Sequence, residues 1–146
     1  MVKIEFDIRG NVVTVLKIHE SAENYLETIL VLHNQKGTVR SIDIANELGF
    51  SKPSVSVAMK NLRENGYITV SPEGSISLLP AGQEIADKIY ERHTVITDLL
   101  TALGVDPEIA AEDACRVEHV ISAESFAAIK AHAQKNIPEL LEKQPE

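Results

Sequence analysis

The sequence predicts a mostly α-helical protein, an N-terminal winged helix-turn-helix followed by an all-helical region. Three observations carry that expectation. Between Ser41 and Gly66 two short amphipathic helices are joined by Gly49-Phe50. The β-rich stretches Tyr67 to Val70 and Ser75 to Leu79 then flank Ser-Pro-Glu-Gly, as a hairpin would. From about Ala81 onward apolar residues recur at helical spacing and no further strand pattern follows. The boundaries read as an N-terminal extension over 1–19, a winged-helix region over 20–80 and a helical region over 81–146.

Residues Lys3 to Leu16 alternate loosely around Arg9-Gly10-Asn11 and suggest a β-hairpin. Ser21 is a candidate N-cap for a first helix running to about His33, with Leu26, Ile29, Leu30 and His33 on one stripe and Gly37 supplying the turn. Ser41 would cap the next helix, through Leu48, with Ile44, Ala45 and Leu48 inward. Ser51 would cap a third helix, with Pro53 tolerated in its first turn and Val55, Ala58, Met59 and Leu62 as its apolar face. A long helix from about Ala81 to Leu103 carries Ile85, Ile89, Ile96, Leu99, Leu100 and Leu103 on one side, with His93 inside that stripe. Asp106-Pro107 starts another helix, and Ser122 caps a last one through about Lys135.

Composition excludes several classes. No apolar run approaches the roughly 20 residues of a membrane span, and the N-terminus lacks the apolar core of a signal peptide, so a cytoplasmic protein with no membrane partner is expected. One cysteine in 146 residues forms no internal disulfide. The net charge of −8 hides a gradient. Lys36 to Pro72 holds five basic and three acidic residues, whereas six basic residues face thirteen acidic ones from Pro80 onward. The first stretch suits nucleic acid and the second attracts cations.

In a helix-turn-helix the second helix enters the major groove. Ser41, Ser51, Lys52, Ser54 and Lys60 suit phosphates, Pro53 and Val57 can touch thymine methyls, and Asn61 shares the outward face. Double-stranded DNA is the expected partner.

The segment DACRVEH places Cys115, Glu118 and His119 at relative positions 0, 3 and 4, one face of a helix. Thiolate, carboxylate and imidazole are all metal ligands. Singly, each reads more readily as a core or surface residue. Together with His93 on the preceding helix and the Asn24/Glu27 pair on helix 1, they form a mixed shell whose carboxylates would be costly to bury without a cation. An enzyme with Cys115 as nucleophile and His119 as base lacks an orienting third group and an oxyanion site, so no enzymatic activity is expected. A metal-independent winged-helix regulator is the alternative.

These residues carry a resemblance. AENYLETI, IANELGFSKPSVSVAMKNL, the tract ERH and DACRVEH together resemble the diphtheria-toxin-repressor and manganese-transport-regulator family of metal-dependent transcriptional regulators, in a short form without the extra C-terminal domain. The resemblance implies a homodimer that represses at a palindromic operator, controls metal homeostasis and uses Fe(II) or Mn(II) as co-repressor. It implies a primary site of Cys115, Glu118, His119 and Asn24, with Glu27 and His93 matching ligands of the manganese type. Two departures make the site a hybrid. Asn24 stands where iron-type members have methionine and manganese-type members aspartate, and Cys115 stands where the manganese type has glutamate. Ala111 and Thr97 replace ancillary ligands of the iron type. Thiolate inclines the set toward Fe(II), while its oxygen donors keep Mn(II) open.

Overall fold

The computed structural model describes residues 13–137, and side chains from Glu20 to Ile137. Its elements run α1 (Val13–Lys36), α2 (Ser41–Leu48), α3 (Lys52–Glu64), β1 (Ile68–Val70), β2 (Ile76–Leu78), α4 (Pro80–Ala102), α5 (Pro107–Val117) and α6 (Ala123–Asn136). The helix, helix-turn-helix and hairpin order is the one expected, and mostly helical architecture follows from it. Among the described residues no helix is long and apolar enough to cross a membrane.

One expectation is corrected at the start. The hairpin over 3–16 lies outside the described residues except for its end, and Val13 to Leu16 are helical. Ser21 is therefore interior to α1 rather than its cap. Extending a helix adds one hydrogen bond per residue once the nucleus exists, which is enough to recruit a β-branched run whose alternation had suggested a strand.

The described chain separates into two compact units, one through Lys88 and one from Ile89. The first has an apolar core in which Leu26, Ile29, Val39, Ile44, Val55, Ile68 and Ile76 are each at most 2 % exposed. Burying one Leu or Ile side chain of this kind stabilises by roughly 1.5–3 kcal/mol. The apolar stripes of α1, α2 and α3 converge there, and Tyr25 meets Phe50 edge-on at 6.1 Å between ring centroids.

Gly49 makes the turn between α2 and α3. Its φ of 68° is left-handed, and Phe50 N–H donates to the Ala45 carbonyl at 3.1 Å. The cap of α2 is Arg40 rather than Ser41, because the Asp43 carboxylate three residues on accepts from Arg40 N–H at 2.9 Å. Lys36 bonds the other Asp43 oxygen at 2.6 Å and holds that carboxyl below the usual carboxylate range. Ser51 caps α3 as expected, accepting from Ser54 N–H at 3.3 Å.

β1 and β2 pair antiparallel with Ile68 opposite Leu78 and Val70 opposite Ile76. Ile76 N–H also donates to the Val39 carbonyl at 2.7 Å, which ties the hairpin to the segment before α2. At the hairpin's exit the backbone of Gly82 lies against the Tyr67 carbonyl. A Cβ there would stand 2.2 Å from that oxygen, so glycine is required. Ala86 is fully buried and Ile85 packs on the same core, which explains why the start of α4 goes with the first unit.

The second unit contains the rest of α4 with α5 and α6. Asp106 caps α5, accepting from Glu108 N–H at 3.0 Å, and Ser122 caps α6, accepting from Ser125 N–H at 3.1 Å. Its buried apolar residues are Ile89, Ile96, Ala110, Ala114, Phe126 and Ala133. Leu103, expected in the α4 stripe, is instead 72 % exposed beyond the last helical turn.

Candidate metal centre

α4 carries three consecutive residues that each reach a different partner, since successive helical side chains point about 100° apart. Glu91 pairs with Lys130 on α6. The Arg92 guanidinium donates to the carbonyls of Glu118 and Ile121, at 3.0 and 2.9 Å, and lies 5.5 Å from the centroid of the Phe126 ring. His93 turns toward α5, where its Nδ1 is 2.9 Å from Glu118 Oε2 and 3.6 Å from Cys115 Sγ.

The segment DACRVEH is not wholly helical. α5 ends at Val117, Glu118 is its C-cap and His119 lies in the turn that follows. Glu118 keeps right-handed helical angles, with its N–H bonded to the Ala114 carbonyl at 2.9 Å, so its side chain still shares the face of Cys115. His119 is placed by the turn instead, and its Nε2 is 3.3 Å from Glu118 Oε1.

Glu118 is thus the hub. It is 1 % exposed, and its two carboxylate oxygens go to two different imidazoles. His93, Cys115 and Glu118 each offer a donor atom within 4.8 Å of the other two. Exposure decreases across the set from the exposed Cys115 thiol inward to Glu118.

The electrostatics follow from this packing. The hydrogen bond with Cys115, then that with Glu118, raises His93 from 6.5 to about 10, against the opposing effect of partial burial. Protonated His93 therefore sets a positive charge beside the Glu118 carboxylate. A buried carboxylate between two imidazoles, with a thiol beside one of them, is a donor set that fits a divalent transition-metal ion.

Asn24 and Glu27 lie three apart on α1, in the other unit. Asn24 is half-buried, its carbonyl accepting from the Thr28 hydroxyl at 2.8 Å, and Glu27 is buried. Of the two residues that the resemblance sets at ancillary positions, Ala111 is half-buried. Thr97 Oγ1 is buried with no hydrogen-bond partner among the described residues. Arg92 is the residue sequence reasoning missed. The tract ERH contained it, but nothing local signalled that its partners would be carbonyls 26 and 29 positions on.

On α3 the expected DNA face is presented outward. Ser51, Lys52, Pro53, Ser54, Val57, Lys60 and Asn61 are all exposed, Val57 to 60 %, while Val55, Met59 and Leu62 are buried. Ser41, the first residue of α2, is half-buried. The hydroxyls of Ser51 and Ser54 bond each other at 2.8 Å.

Comparison with known proteins gives a consistent result. Residues 17–76 match the model of the iron dependent repressor N-terminal DNA binding domain, and residues 79–136 match that of the iron dependent repressor metal binding and dimerisation domain. The transcriptional regulator MntR of Salmonella typhimurium is 37 % identical over 117 residues, covering 80 % of this chain and 74 % of that protein. A solved manganese-dependent transcriptional repressor in complex with manganese matches at TM-score 0.69 and 25 % identity, over 76 % of this chain and 51 % of its own. T. acidophilum IdeR matches at TM-score 0.64 and 26 % identity, over 75 % and 52 %. The chain spans about half the length of those two solved proteins.

Proposed function

The chain belongs to the iron-dependent repressor family and is a metal-responsive DNA-binding transcriptional repressor, and from this premise we propose that His93, Cys115, Glu118 and His119 hold its co-repressor ion. The observation that carries the proposal is the buried Glu118 carboxylate, with one imidazole at each oxygen and the Cys115 thiol beside His93. On the resemblance of the sequence alone, Asn24 and Glu27 on α1 are assigned to the same shell. A bound ion would replace the His93 proton and supply the positive charge that the buried carboxylate requires.

Fe(II) and Mn(II) are the candidate ions. The relatives include a manganese-bound repressor and an IdeR, and the donor set joins a thiolate to oxygen and nitrogen ligands. α3 enters the major groove of a palindromic operator, with Lys52 and Lys60 at phosphates and Pro53 and Val57 against thymine methyls. The chain works in the cytoplasm as a homodimer. Because α1 belongs to the DNA-binding unit and also carries Asn24 and Glu27, metal binding restricts the helix that supports the recognition unit. The ion binds the DNA-competent state more tightly, and by linkage DNA tightens metal binding.

The test is an anaerobic fluorescence-anisotropy titration with operator DNA selected from a random pool. Affinity should rise with Mn(II) or Fe(II) and fall with chelator. Equal affinity in both conditions would establish a metal-independent winged-helix regulator instead.

A further inference from the structure

Glu118 has to stand between two imidazoles, yet it lies at the C-cap of a short helix, where the backbone begins to leave helical hydrogen bonding. Its N–H is held by Ala114, but helix ends leave their last carbonyls without intrahelical donors. The turn that follows is closed by Val120 N–H and Ile121 N–H, both donating to the Val117 carbonyl at 3.1 Å. Those bonds fix Val117. They leave the carbonyls of Glu118 and Ile121 to be satisfied from elsewhere.

Arg92 satisfies both. One guanidinium nitrogen, Nη1, donates to the Glu118 and Ile121 carbonyls, bracketing the turn that also contains His119. The guanidinium is itself held near the Phe126 ring, so it is not a loose surface charge. It also places a positive charge at the negative end of the α5 dipole. Arg92 is adjacent in sequence to His93, so one stretch of α4 fixes the backbone of Glu118 through Arg92 and meets its carboxylate through His93.

We infer that Arg92 is the positioning residue of the metal site, fixing the 118–121 turn so that the Glu118 carboxylate and the His119 ring are set before an ion arrives. It ligates nothing. Its role rests on the site proposed above, and it reaches that site through the backbone of one ligand. Groups that orient metal ligands from outside typically change affinity by about 10–100-fold when removed.

A double-mutant cycle tests this. Mn(II) affinity is measured by competition with a metal-chelating dye for the full chain, Arg92→Met, Glu118→Gln and the double variant, with thermal unfolding of each metal-free form alongside. Glu118→Gln keeps the backbone carbonyl that Arg92 grips and removes only the carboxylate charge. Arg92→Met should lower Mn(II) affinity about 10–100-fold in the parent. In the Glu118→Gln background the same change should cost at least about threefold less than in the parent, because only the positioning of His119 is left to lose. Arg92→Lys, which can still donate to carbonyls, should bind at least tenfold better than Arg92→Met.

Equal losses in both backgrounds would mark Arg92 as a general scaffold residue and overturn the inference. A lysine no better than methionine would overturn it as well. If Glu118→Gln lowers affinity and Arg92→Met does not, the site stands and the inference alone falls. If Glu118→Gln leaves affinity unchanged, the site proposal fails and the inference with it.

Discussion

The two units reach a buried interior by different means. In the unit through Lys88, Leu26, Ile29, Ile44, Val55, Ile68 and Ile76 are almost wholly buried, and the interior is large aliphatic side chains meeting one another. In the unit from Ile89, the buried apolar residues include the small Ala110, Ala114 and Ala133, and its largest side chain under 2 % exposure is the carboxylate Glu118. That unit also leaves Leu103, Ile109 and Val120 more than half exposed. A hydrophobic core is complete once the chain closes on it. A core containing a carboxylate depends on what neutralises the charge, and the exposed aliphatics are apolar surface that the unit does not bury by itself.

The sharpest way to break this contrast is Glu118→Ala. The second unit should lose its response to metal altogether, with Mn(II) affinity falling by more than the roughly 100-fold typical of outer-shell changes. A retained metal-dependent shift in operator binding, read by anisotropy, would remove Glu118 from the site. Ile44→Ala, on α2 where no ligand is proposed, is the matching lesion in the first unit. It should destabilise by about 2–5 kcal/mol, and calorimetry should show the same loss with and without Mn(II). A metal-dependent loss there would mean the two interiors are not independent in kind.

Proton competition sharpens the comparison further. His93 is raised to about 10, above its ordinary 6.5, so its protonated form contributes stability that is fully present below pH 6.5. That contribution is lost as pH rises through about 10. The metal-free chain should therefore lose stability across that window, while Mn(II) affinity rises because the ion no longer displaces a proton. His93→Gln should flatten both trends, and titration calorimetry in buffers of different ionisation enthalpy would count the proton released. The smallest effects are expected on α3. Ser51→Ala should cost about 1 kcal/mol through loss of the cap. Val57→Ser should change stability by less than about 0.5 kcal/mol yet weaken discrimination at the thymine positions proposed to meet it, measured with operators carrying uracil in place of thymine.

Local rules made the first unit legible. Glycine at 49, serine at 51 and the spacing of Val55, Met59 and Leu62 act over one or two helical turns, and each reappears where its spacing placed it. The misreadings share a cause. Val13 to Leu16 alternates like a strand, but it adjoins an established helix and is recruited to it. Ser41 has the composition of a cap, but Asp43 bonds Arg40 N–H and moves the cap one residue back. The candidate site was legible in its residue types and only partly in its geometry. Helical phase brought Cys115 and Glu118 onto one face, but it did not show that α5 would end at Val117 or that His119 would approach from a turn. Arg92 was invisible because a contact with distant carbonyls leaves no periodicity in sequence.

The division of one carboxylate between two rings limits how this switch can be modified. Both imidazoles face Glu118, so a substitution that removes its carboxylate acts on both halves of the arrangement at once. Gradual change in metal preference has to come from the periphery, where Cys115 and His93 can be exchanged for other donors while the hub remains.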